Sequence, residues 1–174
     1  MHLRNYLKAI NFNGNHTVSD ESEIIISDAW ARNNPSVGII NNQLTEQSRG
    51  VSKSRWAIEK ILDAGYGLAT IYYGEVDPDK DDFSDGIHPF LYEPGQQRPA
   101  ADEWGSISAW VWGLSRALDY LETDEDVDAS KVIVFGHSRL GKTALWAGAT
   151  DQRFAGVISN NSGCGGAALS KRAF

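Results

Sequence analysis

Cysteine is nearly absent from this sequence: Cys164 is the only one in 174 residues, so no disulfide can form within the chain. That count leaves the redox compartment undecided. Long apolar runs are also missing, so we expect no membrane-spanning segment and no membrane partner. Residues 1–5 lack the apolar stretch of a signal peptide, which leaves two possibilities open: a cytoplasmic protein, or one whose leader is absent from this sequence.

Basic residues are few and scattered: 16 Lys and Arg face 23 Asp and Glu, and the net charge is -7. We therefore expect no nucleic-acid partner, because a phosphate backbone binds to a basic face. Acidic residues cluster at 77–85 and 122–128, and such clusters usually form solvated loops. Pro78 and the lack of a glycine at the turn position argue against a calcium loop. The sequence predicts neither a metal site nor a cofactor.

The length suits one domain, residues 1–174, with a hydrophobic core. Apolar and β-branched runs predict strands at 23–30, 66–73, 131–135 and 154–159. Apolar residues at three- and four-residue spacing predict helices at 52–63, 105–122 and 142–149. The segments that remain between these elements are predicted to be loops, chiefly at 33–50 and 74–103. Strands that alternate with helices predict an α/β fold with a parallel sheet covered on both faces.

The segment at 136–142, Gly-His-Ser-Arg-Leu-Gly-Lys, follows a predicted buried strand and opens a predicted helix. A sharp turn in this context lifts the hydroxyl of Ser138 clear of the sheet, at the positive end of the helix. The next backbone N–H can then stabilise an oxyanion, so Ser138 is the candidate nucleophile. The motif departs from Gly-x-Ser-x-Gly, because Leu140 stands at the second glycine position and Gly141 follows it.

The same residues also match a phosphate-binding loop, Gly-x-x-x-x-Gly-Lys-Ser/Thr, from Gly136 to Thr143. Two features favour the first interpretation, in which the sharp turn at Ser138 is a nucleophile elbow. The interior residues 137–140 are bulky, so their backbone would wrap a phosphate poorly. The next predicted strand leads to Asn160 rather than to an Asp that could hold magnesium. A nucleotide-binding module and a turn without chemistry remain as weaker alternatives.

The segment at 136–142 closely resembles the Gly-Cys-Ser-Arg-x-Gly-Lys motif of glucuronoyl esterases, carbohydrate esterase family 15, with His137 in place of the cysteine. Four further segments are similar to the bacterial branch of that family: 11–16, 65–70, 110–117 and 162–168. The resemblance implies an α/β-hydrolase fold, a three-layer αβα sandwich around a mainly parallel sheet. It also implies a secreted or periplasmic enzyme that acts as a monomer, without a cofactor, on the plant cell wall.

Such enzymes cleave the ester between (4-O-methyl)glucuronic acid on xylan and an alcohol of lignin, so the resemblance implies a glucuronoxylan or lignin–carbohydrate ester substrate. Position by position, Ser138 would be the nucleophile, Arg139 would help the oxyanion hole, and Lys142 would hold sugar hydroxyls. Without the resemblance, a surface salt bridge for Arg139 and an exposed helix position for Lys142 are equally good interpretations.

A triad in this fold runs in the chain order serine, acid, histidine. The four histidines of this chain all precede the serine: His2, His16, His88 and His137. In some members of the family the acid follows the next strand, where this sequence has Asn161. We therefore expect the histidine and the acid beyond Phe174, in a chain truncated at its C-terminus and nearly inactive by itself.

Two other functions stay open. One is a different serine carbohydrate esterase of the acetylxylan or feruloyl type. The other is a catalytically dead carbohydrate-binding relic, for which Asn161 and the lack of a downstream histidine would look the same.

Overall fold

The structure is a computed structural model that describes residues 5–169. These residues form two compact units. The sheet unit contains residues 5–10, 59–70 and 110–169, and the loop unit contains residues 11–58 and 71–109. No helix within the described residues is both long and apolar enough to cross a membrane.

In chain order the strands and α-helices are β1 (Asn5–Asn11), β2 (Ile39–Ile40), β3 (Gln43–Leu44), α1 (Ile58–Asp63), β4 (Tyr66–Tyr72), α2 (Ser106–Thr123), β5 (Ile133–His137), α3 (Arg139–Thr150) and β6 (Gly156–Asn160). Four strands form one sheet in the order β4-β1-β5-β6. β5 pairs in parallel with both β1 and β6, which confirms the predicted sheet type. The carboxyl ends of β5 and β6 therefore lie side by side, the usual place for a site in such a sheet.

α2 contributes a continuous apolar stripe to the core. Trp110, Leu114 and Leu118, four residues apart, are almost fully buried. Burial of each such side chain stabilises the fold by about 1.5–3 kcal/mol. This helix confirms the one predicted at 105–122.

α3 packs closely against β5 and β6 because its inner face is small. Gly141, Ala144 and Ala147 are buried there. A Cβ added at Gly148 would lie 2.1 Å from Cγ2 of Val157, so the helix and β6 are already in contact at that point.

Three predicted strands are confirmed with shifted ends: 66–73 as β4, 131–135 as β5 and 154–159 as β6. The helix predicted at 142–149 begins earlier, at Arg139. The expectation that the strands are buried on both faces is wrong for β4 and β6, which are partly exposed along much of their length. Both are outer strands of the four-stranded sheet.

The strand predicted at 23–30 is wrong. The segment is irregular, and Ile25 is 86% exposed. One carbonyl group just before the segment, that of Glu21, and one near its start, that of Ile24, accept hydrogen bonds from the guanidinium of Arg49 at 2.7 and 3.0 Å. An arginine side chain satisfies these backbone groups, so β-branched composition alone did not produce a strand.

The helix predicted at 52–63 is shorter than expected. Lys53–Arg55 form a 3-10 helix, and the α-helix begins only at Ile58. No residue of α1 is buried, so tertiary packing does little to extend it. Gly65, with a φ of +84°, ends the helix as predicted. The predicted loop at 33–50 contains the short β2–β3 hairpin.

β1 was not predicted, because a lysine interrupts its apolar pattern. Lys8 is fully buried, its Nζ donates to the carbonyl of Leu114, and it lies 5.7 Å from the ring centroid of Phe154. Burial disfavours the charged amine and lowers the pKa of Lys8 to about 7, against the opposing attraction of Asp119 and Asp151.

Replacing Lys8 with Met should remove a pH-dependent penalty from the folded state. The pKa of Lys8 is about 7 in the folded chain and ordinarily 10.5, so between these values the unfolded chain binds more protons. As pH rises above 7, the free energy of unfolding of the wild type should increase relative to Lys8→Met by up to about 1.4 kcal/mol per pH unit. Urea unfolding at several pH values measures this difference. The exposed Lys60→Met is the control, and a pH-independent difference for Lys8→Met would contradict the buried amine.

Candidate active site

One residue separates the end of β5 from the start of α3, and that residue is Ser138. Its φ of 56° and ψ of -126° lie in the left-handed half of the map, which is rare for a residue with a side chain. Such a conformation costs on the order of 1–3 kcal/mol and persists only where the surroundings impose it. Ser138 is exposed, so its hydroxyl is accessible.

Two glycines let the chain make this turn. A Cβ at Gly136 would lie 1.9 Å from the carbonyl oxygen of Leu140, and a Cβ at Gly141 would lie 2.9 Å from the carbonyl oxygen of Asn160. Leu140 itself is fully buried. The second close approach therefore falls at Gly141, and this explains why the motif carries leucine where glycine is usual.

The end of β6 holds the turn from the other side. The N–H of Ser138 donates to the carbonyl of Asn160 at 2.9 Å, and Oγ of Ser159 donates to the carbonyl of Gly141 at 2.8 Å. Sequence reasoning missed Asn160, because its contact with the serine uses only its backbone and leaves no side-chain signal.

Arg139 and Lys142 lie three residues apart on the first turn of α3, so their side chains leave the same face of the helix. Arg139 is exposed and Lys142 is half-buried. Cations near the positive end of a helix dipole each cost roughly 0.3–1 kcal/mol. In a chain of net charge -7, their placement beside Ser138 favours a negative group at that point.

A shallow depression of about 430 Å³ opens beyond β6 and is lined by Ser159, Asn161, Ser162, Gly163, Ala167 and Ala168. Asn161 is exposed, with a φ of 47° that asparagine tolerates better than most residues. Oγ of the buried Ser162 accepts the N–H of Ala167 at 2.8 Å. The described lining offers hydroxyl and amide groups, which suit sugar hydroxyls, and contains no carboxylate.

Each described histidine has a different polar neighbour. The Asn160 side-chain amide lies 3.2 Å from Nδ1 of the exposed His137. In the loop unit, Nε2 of the buried His16 lies 2.7 Å from Oγ of Ser48. Nε2 of the buried His88 lies 3.4 Å from Oδ1 of Asp77. His2 lies outside the described residues.

His16 is a core residue. Oγ of Ser48 donates to the carbonyl of Thr45 at 2.6 Å, so Nε2 of His16 is the donor to Ser48. Burial, and then the charge of Arg49, lower the pKa of His16. The imidazole is therefore neutral at pH 7 and packed in place.

Asp77 corrects the expectation that the acidic cluster at 77–85 is a solvated loop. Its side chain is fully buried beside His88. Burial raises the pKa of Asp77, while a hydrogen bond from Ser106 and the proximity of His88 lower it. No local pattern in the sequence pairs an acid with a histidine on the far side of a loop.

The geometry disfavours the phosphate-loop alternative. Because α3 begins at Arg139, residues 139–141 are already helical and do not form the open loop that would wrap a phosphate. Thr143 is fully buried, and its Oγ1 donates to the carbonyl of Arg139 at 3.2 Å, so the hydroxyl is not presented to a magnesium ion. Among residues 5–169 no group of three or more His, Cys, Asp or Glu side chains could hold a metal ion.

A parallel sheet and an exposed, strained serine between a strand and a helix are the features of the nucleophile elbow in α/β-hydrolases. The family model described as glucuronyl esterase, fungi, matches residues 62–173. The chain belongs to the glucuronoyl esterase family and has its α/β-hydrolase fold, as the motif at 136–142 predicted.

Individual relatives agree. The carbohydrate esterase MZ0003, from an unknown prokaryotic organism, is 55% identical over 165 residues, which are 95% of this chain and 38% of that protein. A 4-O-methyl-glucuronoyl methylesterase from Phanerochaete carnosa is 38% identical over 104 residues, 58% of this chain and 25% of that protein. The solved structure of a promiscuous CE15 esterase from a marine bacterial metagenome superposes with a TM-score of 0.84 at 53% identity, covering 97% of this chain and 43% of that one. The chain thus spans less than half the length of each.

Replacing Gly136 with Ala should strongly destabilise the sheet unit. The new Cβ would meet the Leu140 carbonyl oxygen at 1.9 Å, and a helix backbone cannot move aside as a flexible side chain can. We expect a loss of about 3 kcal/mol in the free energy of unfolding. Thermal unfolding followed by circular dichroism measures it. Gly105→Ala, whose Cβ has no atom within 4 Å, is the matched control. Equal stability of the two variants would show that the turn is not tightly packed.

Proposed function

We propose that this chain is part of a single catalytic domain that hydrolyses glucuronoyl esters through a serine acyl-enzyme, as a 4-O-methyl-glucuronoyl methylesterase does. The observation that carries the proposal is the exposed, strained Ser138 beside two cationic side chains at the start of α3. Membership of the family supports ester chemistry, and the name of the Phanerochaete carnosa relative supports the acyl group.

Ser138 would supply the nucleophile. Its Oγ attacks the ester carbonyl carbon, its proton passes to a base, and the carbonyl oxygen becomes negative. Cleavage of the bond to the alcohol, which takes up a proton, leaves an acyl-serine. Water then attacks the same carbon, and the free acid and the serine hydroxyl are restored.

In this proposal the base and its acid come from sequence that the relatives have and this chain does not span. No histidine follows Ser138, and the chain matches 38% of the length of MZ0003. Nδ1 of the neighbouring His137 is engaged by Asn160. Asn161, beyond the end of β6, is a neutral amide and cannot act as the carboxylate.

Arg139 would stabilise the oxyanion, together with the N-terminal end of α3. The ester is neutral, and negative charge appears on its carbonyl oxygen only as Ser138 attacks. A guanidinium and a helix N-terminus therefore stabilise the transition state more than the ground state, which is the condition for catalysis. This role would explain why cations lie at a helix end where the helix dipole disfavours them.

Lys142, three residues further along α3, would bind hydroxyl groups of the sugar, which are present equally in the ground and transition states. The proposed substrate is the ester that joins glucuronoxylan to lignin. Because that polymer lies outside cells, we place the enzyme in the periplasm or the medium, acting as a monomer.

Hydrolysis of benzyl glucuronate should depend on Ser138 in the chain extended into the coding sequence that follows Phe174. We expect Ser138→Ala to lower kcat at least about a thousandfold, because the acyl-enzyme cannot form. Chromatography of the released benzyl alcohol measures the rate. Ser130→Ala, which removes an exposed hydroxyl from another turn, is the control and should keep full activity.

Three results would count against this function. Hydrolysis that survives Ser138→Ala would exclude the serine mechanism. Faster cleavage of an acetyl or feruloyl ester would favour another carbohydrate esterase. A stop codon directly after Phe174, with sugar binding but no hydrolysis, would favour a carbohydrate-binding relic.

Arg139→Ala and Lys142→Ala should affect different kinetic parameters of the same extended chain, the first kcat and the second KM. We expect Arg139→Ala to lower kcat by about 10²–10³, the loss typical of one oxyanion-hole donor. Lys142→Ala should raise KM and leave kcat nearly unchanged, because it removes uniform binding. Steady-state kinetics on benzyl glucuronate measures both. The opposite division would contradict the assigned roles.

A further inference from the structure

A second depression lies in the loop unit, within the long irregular segment that precedes α2. It holds about 350 Å³, a volume in the range of small-molecule sites. Its wall is formed by Leu91, Tyr92, Pro99, Asp102, Glu103 and Trp104. The proposed ester chemistry uses none of these residues.

Side-chain hydrogen bonds hold the wall in place where regular structure is lacking. Oε1 of Gln96 accepts the N–H of Glu93 at 3.0 Å, and Nε2 of Gln96 donates to Oε2 of Glu103 at 2.6 Å. The N–H of Ala100 donates to the same Glu103 oxygen at 2.7 Å. The Glu103 carboxylate is therefore oriented before any ligand arrives, which lowers the entropic cost of binding.

A cluster of three rings, His88, Tyr92 and Phe83, adjoins the depression. His88, which also lines it, is 2% exposed and stacks on Tyr92, with ring centroids 6.4 Å apart. The ring of Phe83 meets His88 edge-on at 4.9 Å, and the Tyr92 hydroxyl donates to the carbonyl of Phe83 at 3.1 Å. Oδ1 of the buried Asp77 lies 3.4 Å from Nε2 of His88.

The chemistry of the lining selects among ligands. Trp104 is 45% exposed, and an indole face packs well against the C–H face of a pyranose ring. Asp102 and Glu103 are exposed carboxylates that can accept hydrogen bonds only, and sugar hydroxyls can donate them. The same two charges repel an acidic sugar, and a purely aromatic ligand offers them no donor.

We propose that this depression is a subsite for a neutral pyranose ring, such as one xylose unit of an oligosaccharide. Trp104 supplies the stacking face, and Asp102 and Glu103 accept hydrogen bonds from the sugar hydroxyls. The subsite does not require Ser138, so it can be tested whether or not the chain hydrolyses esters.

Titration calorimetry with xylopentaose tests the subsite. The wild-type chain should bind it saturably, and Trp104→Ala should weaken binding at least about tenfold, as removal of an aromatic anchor does. Trp146→Ala removes an indole of similar exposure, 50%, from α3 and should bind as the wild type does. Trp104→Phe keeps an aromatic face and should retain part of the affinity, so it replaces the alanine variant if that one fails to fold.

Asp102→Asn separates a pyranose subsite from other kinds of site, because it keeps an acceptor while removing a charge. Binding of xylopentaose should change little, and binding of free glucuronic acid should strengthen.

Absence of saturable xylopentaose binding, equal binding by wild type and Trp104→Ala, or an equal loss in Trp146→Ala would each overturn the proposal. A preference for benzyl alcohol over xylopentaose would also overturn it, in favour of an aryl site. Loss of hydrolysis in Ser138→Ala leaves the proposal standing as long as binding persists.

Discussion

The close approach of β5 to α3 is the constraint on which the sheet unit depends. Gly136 lies against the Leu140 carbonyl and Gly141 against the Asn160 carbonyl, so neither position has room for a side chain. The helix starts one residue after the strand, and the intervening Ser138 makes that turn with a positive φ. The parallel pairing of β5 with β6 and the hydrogen bond from Ser138 to Asn160 hold that conformation against its cost.

The unfavourable features of this region fall on neighbouring residues. Backbone strain is placed at Ser138, and two cations, Arg139 and Lys142, oppose the helix dipole immediately after it. Arg153, in the same unit, contacts carboxylates on α2 and just after α3, and its hydrogen bond to Asp151 lowers the pKa of that carboxyl group to about 2. Sequences that specify a fold usually break local rules where function requires it. The concentration of two such violations at one serine is therefore an argument for chemistry that does not depend on family membership.

The parts of the fold that were predictable from sequence carry their signal locally. β4, α2 and β5 follow from uninterrupted apolar runs or stripes, and the elbow follows from a glycine–serine motif placed between a strand and a helix. β1 was hidden because its buried Lys8 looks like a surface residue, and the false strand at 23–30 arose because composition says nothing about pairing partners. In the candidate site, the serine and its flanking cations were predictable, whereas the Asn160 carbonyl and the burial of Asp77 depend on contacts between distant segments.

The two units reach order by different physical means, and this bears on how function can vary. The geometry at Ser138 is set by close backbone contacts at Gly136 and Gly141, which leave almost no room for another residue. The loop unit is ordered instead by contacts that close irregular loops: the N–H of Ile87 donates to the carbonyl of Val76 at 2.8 Å, and a Cβ at Gly86 would lie 2.5 Å from the same oxygen. These contacts close the loop between Val76 and Ile87. The side chains of this loop and of the segment that follows it can therefore change while the ends of the loop stay in place. A fold built in this way can keep the backbone geometry at Ser138 while the side chains of its loops diverge.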